Sequence, residues 1–189
     1  MAADEKIDDT AITGTCSKST IAPIDYQEKC PLISKTSGTL YFVKDGFCFY
    51  KDIVIDTRTN LMWTRNANIA GKRMTWNEAI TWVEGSFFRR RLKYAGYRNW
   101  RLPTVEELHF LACAGEGKNI AAYFSELGFN FTDLPTMFWT STTAGAELHW
   151  GPIPINKCDW YVSMYDGHAG ISIGNGELYV WPVRFSDKE

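Results

Sequence analysis

From residue 40 onward, apolar runs alternate with turn residues at spacings that define elements. Residues 40–43 and 47–50 flank Lys44-Asp45-Gly46, and Asp-Gly between apolar runs predicts a β-hairpin. Residues 53–55 and 61–63 repeat the arrangement around a 56–60 turn, where Asn60 suits a positive φ. The period then lengthens to that of a helix. Thr75-x-x-Glu78 reads as a capping box, and Trp76, Ala79, Ile80 and Val83 fall on one face behind it. Pro103-Thr104-x-x-Glu107 is a second box, with Val105, Leu108, Leu111 and Ala112 as its stripe and a stop near Gly115 and Gly117. Residues 119–127 predict a short third helix ending at Gly128. Runs at 160–165, 169–173 and 178–181, separated by Asp166-Gly167 and by 174–176, predict a three-stranded antiparallel meander with Pro182 at an edge or bulge. Residues 129–158 have weak periodicity and read as a long loop of the kind that carries function. Residues 1–38 are polar and aperiodic, so the chain divides into an N-terminal extension and a domain over 39–189.

Composition narrows the class. A chain of 189 residues suits one domain. With 45% hydrophobic residues, 8 Trp, 9 Tyr and 11 Phe it is too apolar to be disordered. No apolar run approaches the roughly 20 residues that span a bilayer. Residues 1–6 lack the apolar core of a signal peptide and fit either a cytosolic start or a mature chain given a new Met. A net charge of −2 argues against bulk attraction to nucleic acid or to an anionic membrane. The cysteines are Cys16, Cys30, Cys48, Cys113 and Cys158, with no CxxC pair. They fit two disulfides plus a free thiol, or five reduced thiols. A Cys16–Cys30 crosslink would hold the aperiodic segment between them.

A row of short motifs carries a family likeness. They are Asp56-Thr-Arg-Thr-Asn-Leu-Met-Trp63, Thr75-Trp-Asn-Glu-Ala79, Gly96-Tyr-Arg-Asn-Trp-Arg-Leu-Pro-Thr-Val-Glu-Glu-Leu108, Phe138-Trp-Thr-Ser-Thr-Thr143, Trp160-Tyr-Val162 and Tyr179-Val-Trp-Pro-Val-Arg184. Over about residues 45–185 they resemble the Lcl C-terminal domain family, named for the C-terminal domain of a collagen-like bacterial surface adhesin. The Trp100-Arg-Leu-Pro103 segment with Glu107-Leu108 after it is the most specific match. The resemblance implies an α+β, C-type lectin-like fold: two helices on antiparallel sheets and a long ligand-bearing loop. It implies a secreted, periplasmic or cell-surface domain of a bacterium or phage that binds a glycan, in some members a sulfated one, or a protein. Many members carry Cys where this chain has Val83 and Pro182, so both halves of that bridge are absent together. That joint absence makes Cys113–Cys158 the expected long-range disulfide, beside Cys16–Cys30. The family's turn Gly is Asn60 here, and a basic stretch, 87–93, stands where a short connection is expected.

Several residues are candidates for binding or chemistry. Arg89, Arg90, Arg91, Lys93 and Arg98 are a local basic cluster interleaved with aromatics, suited to sulfate, phosphate or carboxylate. The competing reading is a solvated helix end. His149 and Trp150 in the long loop, with Tyr165 and His168, complete the candidate ligand set. Trp63, Trp76, Trp100, Arg101, Pro103, Glu107, Trp139, Trp160 and Arg184 read as structural, Arg101 through a buried ion pair. His109, Cys113, His149 and Cys158 lack a close-spaced pair to anchor zinc or a Cys-His nucleophile. Asp159, Asp166 and Glu177 lack the signatures of calcium-dependent lectins, which leaves structural calcium a minor alternative and no cofactor as the expectation. The formylglycine-generating enzymes share a related fold, but no cysteine pair here is placed for their copper site. The chain is therefore expected to be a binding or adhesion module and not an enzyme, with a glycan or partner protein and no nucleic acid as ligand. The alternative is a subunit of an extracellular filament or other homo-oligomeric surface assembly.

Overall fold

The computed structural model describes Cys30 and residues 39–115, 119–131, 137–143, 149–150, 153–154, 158–173 and 175–186. Its architecture is α+β, as the residue pattern predicts. The predicted extension over residues 1–38 lies outside the described residues except for Cys30.

Strands β1 (Phe42–Lys44), β2 (Phe47–Phe49), β3 (Ile53–Asp56) and β4 (Leu61–Thr64) form an antiparallel meander, and β10 (Val183–Phe185) pairs with β4 at its far edge. The β1–β2 hairpin turns on Asp45 and Gly46, at φ 50° and 81°. Two consecutive positive φ values match the right-handed twist of the flanking strands. Asn60, at φ 58°, closes the β3–β4 turn. Within that turn the buried Asp56 carboxylate accepts two bonds from the Arg58 guanidinium, at 2.8 and 2.7 Å.

Strands β2, β3 and β4 are buried on both faces, which explains their unbroken apolar runs. Phe47, Phe49, Val54, Leu61 and Trp63 face one core cluster, while Cys48, Tyr50, Ile53, Ile55 and Met62 face the other. Side chains alternate across a strand, so each strand supplies both layers. The first cluster is covered by α2 (Val105–Cys113) and α3 (Ile120–Leu127), the second by α1 (Trp76–Glu84). Both predicted capping boxes form. The Glu78 amide donates to Thr75 Oγ1 while Glu78 accepts from the Thr75 amide, and Thr104 and Glu107 do the same. The third helix ends at Gly128, φ 116°, where a Cβ would lie 2.8 Å from the Phe42 ring. Tyr123 of α3 donates its hydroxyl to Asp45 at 3.2 Å; burial, then the Asp45 charge, push its phenol up to about 12.

Two parts of the C-terminal third differ from expectation. Strand β5 (Met137–Thr143) occupies part of the predicted 129–158 loop and pairs with β8 (Cys158–Ser163), which pairs in turn with β9 (Ala169–Ile173). Residues 178–181 are therefore not the third strand of the meander. They bridge Met74 at Leu178 and Phe138 at Tyr179 instead. The reason is burial: Val180 and Trp181 are fully enclosed, and Trp181 lies within 6.1 Å of the Trp63, Phe124, Phe129, Phe131 and Phe138 ring centroids. Its indole N–H donates to the Thr64 carbonyl at 2.9 Å. An aromatic of that size gains more from the core than from a sheet edge. Pro182 then leads into β10, at the edge of the larger sheet.

The expected Cys16–Cys30 disulfide is also replaced. Cys30 bonds Cys48, with Cα atoms 6.0 Å apart. Strand alternation turns Cys48 into the cluster against which Cys30 packs, so the extension is tied to the sheet and not to itself. Cys113 is disulfide-bonded as well. With Cys30 and Cys48 paired, its partner is Cys16 or Cys158. Both of those side chains, and with them the predicted Cys113–Cys158 pair, lie outside the described residues.

Candidate functional site

The basic stretch is a loop with a fixed base and an open tip. Helix α1 stops at Gly85, φ 83°, where a Cβ would come within 2.8 Å of the Arg89 carbonyl oxygen and the Arg91 nitrogen. Glycine permits both the conformation and the close return of the chain. Ser86 and Arg89 then exchange backbone hydrogen bonds at 2.8 and 3.2 Å, which puts Phe87 and Phe88 at the turn. Leu92 donates its amide to Val83 at 3.0 Å, and Tyr94 and Tyr97 pair around Ala95 and Gly96. The base is packed. Trp100 is buried and its indole N–H donates to the Tyr94 carbonyl at 3.2 Å. The buried Arg184 guanidinium lies 4.2 Å from the centre of the Tyr97 ring. Burial, then the Asp52 charge, raise the Tyr94 phenol; burial, then Tyr97, raise that of Tyr50.

The tip is not packed. Arg89, Arg90, Arg91, Lys93 and Arg98 are all exposed, and no ion pair among the described residues engages any of them. The helix dipole does not account for these cations, because α1 ends at Glu84 with no basic residue in its last turn. A residue five positions past the helix is beyond the first and last turns where the dipole acts.

The other candidate ligand residues lie elsewhere. Tyr165 and His168 flank a tight turn in which the Asp166 carboxylate accepts from the His168 amide at 3.1 Å. The Asp166 carboxyl is held below its ordinary range: burial raises it, but the Ser163 hydroxyl, the His168 amide and the His168 charge outweigh that. This turn sits on α2 and α3, where a Cβ at Gly167 would touch Ile120 and Ala112. The 85–98 loop instead packs by Leu92, Tyr94 and Tyr97 against the α1 side of the core. The structure thus seats the two groups on different core clusters. His149 and Trp150 form strand β6, paired with β7 (Ile153–Pro154), and their side chains lie outside the described residues.

His109 accounts for the remaining candidate chemistry. A carbonyl can only accept, so the 3.0 Å contact with the Gly167 oxygen places a proton on Nδ1. Its Nε2 is 3.7 Å from Cys113 Sγ, and that sulfur, held in a disulfide, is not a thiolate donor. Among the described residues no group of three or more His, Cys, Asp or Glu is placed to hold a metal ion.

The residues read as structural are mostly packed or bonded. Trp63, Trp100 and Trp139 are buried, Trp160 packs partly buried on the first cluster, and Pro103 is buried. The indoles of Trp76 and Trp139 donate to the Thr140 and Met74 carbonyls, each at 2.8 Å. Arg101 grips Glu107 with two bonds of 2.7 Å, half-buried and not enclosed.

A family model for the Lcl C-terminal domain matches residues 52–184, well over half of the chain. The chain belongs to the Lcl C-terminal domain family. Membership makes it a bacterial surface-related module. No curated protein matches it. The matched span runs from just before β3 to the middle of β10 and includes the whole 85–98 loop. No helix among the described residues is long and apolar enough to cross a membrane.

Sequence patterning singled out the cations of this loop but not Phe87 and Phe88 as its apex. The signal was present. Gly85-Ser86 interrupts the α1 stripe, so two aromatics directly after it cannot continue that buried face.

Proposed function

We propose that this Lcl C-terminal domain is an exported, non-enzymatic binding module that captures an anionic glycan, such as a sulfated one, on the 85–98 loop. One observation carries the reading. Five cations within ten residues are exposed and free of ion pairs among the described residues, in a chain of net charge −2. Arginine offers a planar fork of donors that matches sulfate or carboxylate, and a rigid base lowers the ordering cost of binding. The Cys30–Cys48 disulfide supports an oxidising, extracytoplasmic location. A glycan array run with and without calcium tests the proposal. Sulfated glycans should dominate the signal in both conditions; retention of only neutral glycans, or of none, would overturn it.

A second reading, a subunit of a surface assembly, draws on the other end of the sheet. Leu40, Tyr41 and Phe42 are exposed beside edge strand β1. Unpaired edges and apolar surface are where chains associate. Native mass measurement separates the two: a discrete monomer or small oligomer supports the binding module, and an open-ended series supports the subunit.

A further inference from the structure

Phe87 and Phe88 are 95% and 94% exposed. They are the most exposed large apolar side chains among the described residues, and their rings stack edge-to-face at 5.0 Å. Charge pairing with a sulfated polymer uses the cations behind them and does not require two adjacent bare phenyl rings. The arrangement is an apolar apex with Arg89, Arg90, Arg91 and Lys93 directly behind it, on a turn braced by Ser86, Arg89 and Gly85.

We infer that this loop docks on an anionic lipid surface, with Phe87 and Phe88 entering the boundary between headgroups and acyl chains and the cations pairing with lipid phosphates. Reversible membrane binding gains strength when an apolar insertion is combined with a basic patch, because neither alone holds firmly. Each Lys or Arg close to an anionic leaflet contributes about a fivefold gain in binding. The chain's net charge of −2 does not oppose this. At 0.1 M salt, charges more than about 10 Å away are screened, so the leaflet meets the local cluster and not the whole-chain sum. A second copy of this chain is a poorer occupant, since apposing two such tips would bring like charges together.

Lipid docking uses the same cations as glycan capture but does not rest on it, and one experiment separates them. The full chain is sedimented with vesicles of phosphatidylglycerol and phosphatidylcholine, and with phosphatidylcholine alone, and is run in parallel on immobilised heparin. The parent should bind the anionic vesicles and not the neutral ones. Phe87→Ser with Phe88→Ser should lose at least tenfold in vesicle binding while keeping its heparin elution. Arg89→Ser, Arg90→Ser and Arg91→Ser together should lose vesicle binding as well. Thermal melting checks that both variants fold, as expected for substitutions of exposed residues. A parent that ignores anionic vesicles, or a Phe variant that sediments like the parent, overturns the lipid inference whatever heparin shows. Vesicle binding without heparin retention leaves the inference standing and removes the glycan reading.

Discussion

Helices α1 and α2 begin alike and end differently. Each starts with a Thr whose hydroxyl accepts from a Glu three residues on, and whose own amide that Glu accepts. Glu107 then does a second job, taking both arms of Arg101, and α2 continues into the His109–Gly167 contact and a disulfide at Cys113. Glu78 forms no such ion pair among the described residues and remains solvent-facing, and α1 leaves the core at Gly85 into the basic loop. The shared start code builds the frame. The segment beyond each helix decides whether it is tied down or presents a surface.

The contrast is sharpest at Arg101. Arg101→Ala removes a bidentate pair and leaves a half-buried carboxylate, so it should destabilise by about 2 kcal/mol in urea unfolding, less than a fully enclosed pair. Acid should reveal the same bond. Burial raises the Glu107 carboxyl, but the Arg101 bond and charge and the Thr104 amide bring it below its ordinary value. A depressed folded pKa contributes stability above the unfolded value, about 4.3, that is lost as pH falls through the folded one. The Arg101→Ala penalty should therefore shrink below about pH 4, and a penalty constant to pH 2 would contradict this account. Thr104→Ala should cost on the order of 1 kcal/mol. Thr75→Ala, at an exposed cap with no Arg-bound Glu behind it, should cost less, and the reverse order would undo the contrast between the two helices. Smallest of all, Arg89→Ser, Arg90→Ser and Arg91→Ser together should move stability by no more than about 0.5 kcal/mol, as for surface changes generally.

Local chemistry was legible in the chain and long-range competition was not. Asp45-Gly46, Asn60 and the two Thr-x-x-Glu boxes announce turns and helix starts because each acts on neighbours within a few residues. Residues 178–181 carry a strand pattern, yet Trp181 draws them into the core, a choice that depends on aromatics as distant in sequence as Phe47 of the same cluster. Cys30 likewise bonds a residue brought near by sheet alternation, not by spacing. At the site, the cluster of arginines was visible as composition. That Tyr165 and His168 sit on another core cluster depends on how β8 and β9 pack on α2, which no local pattern reveals.

The 85–98 loop, rigid at its base and free at its tip, should carry the affinity for anionic ligands. Heparin chromatography over a salt gradient tests this most directly. Exposed charge pairs weaken as the Debye length falls from about 10 Å at 0.1 M to about 3 Å at 1 M. The parent should elute well into the gradient, and the chain with Arg89→Ser, Arg90→Ser and Arg91→Ser should elute near its start with an unchanged melting temperature. Co-elution of the two would show that the basic loop is only a solvated face.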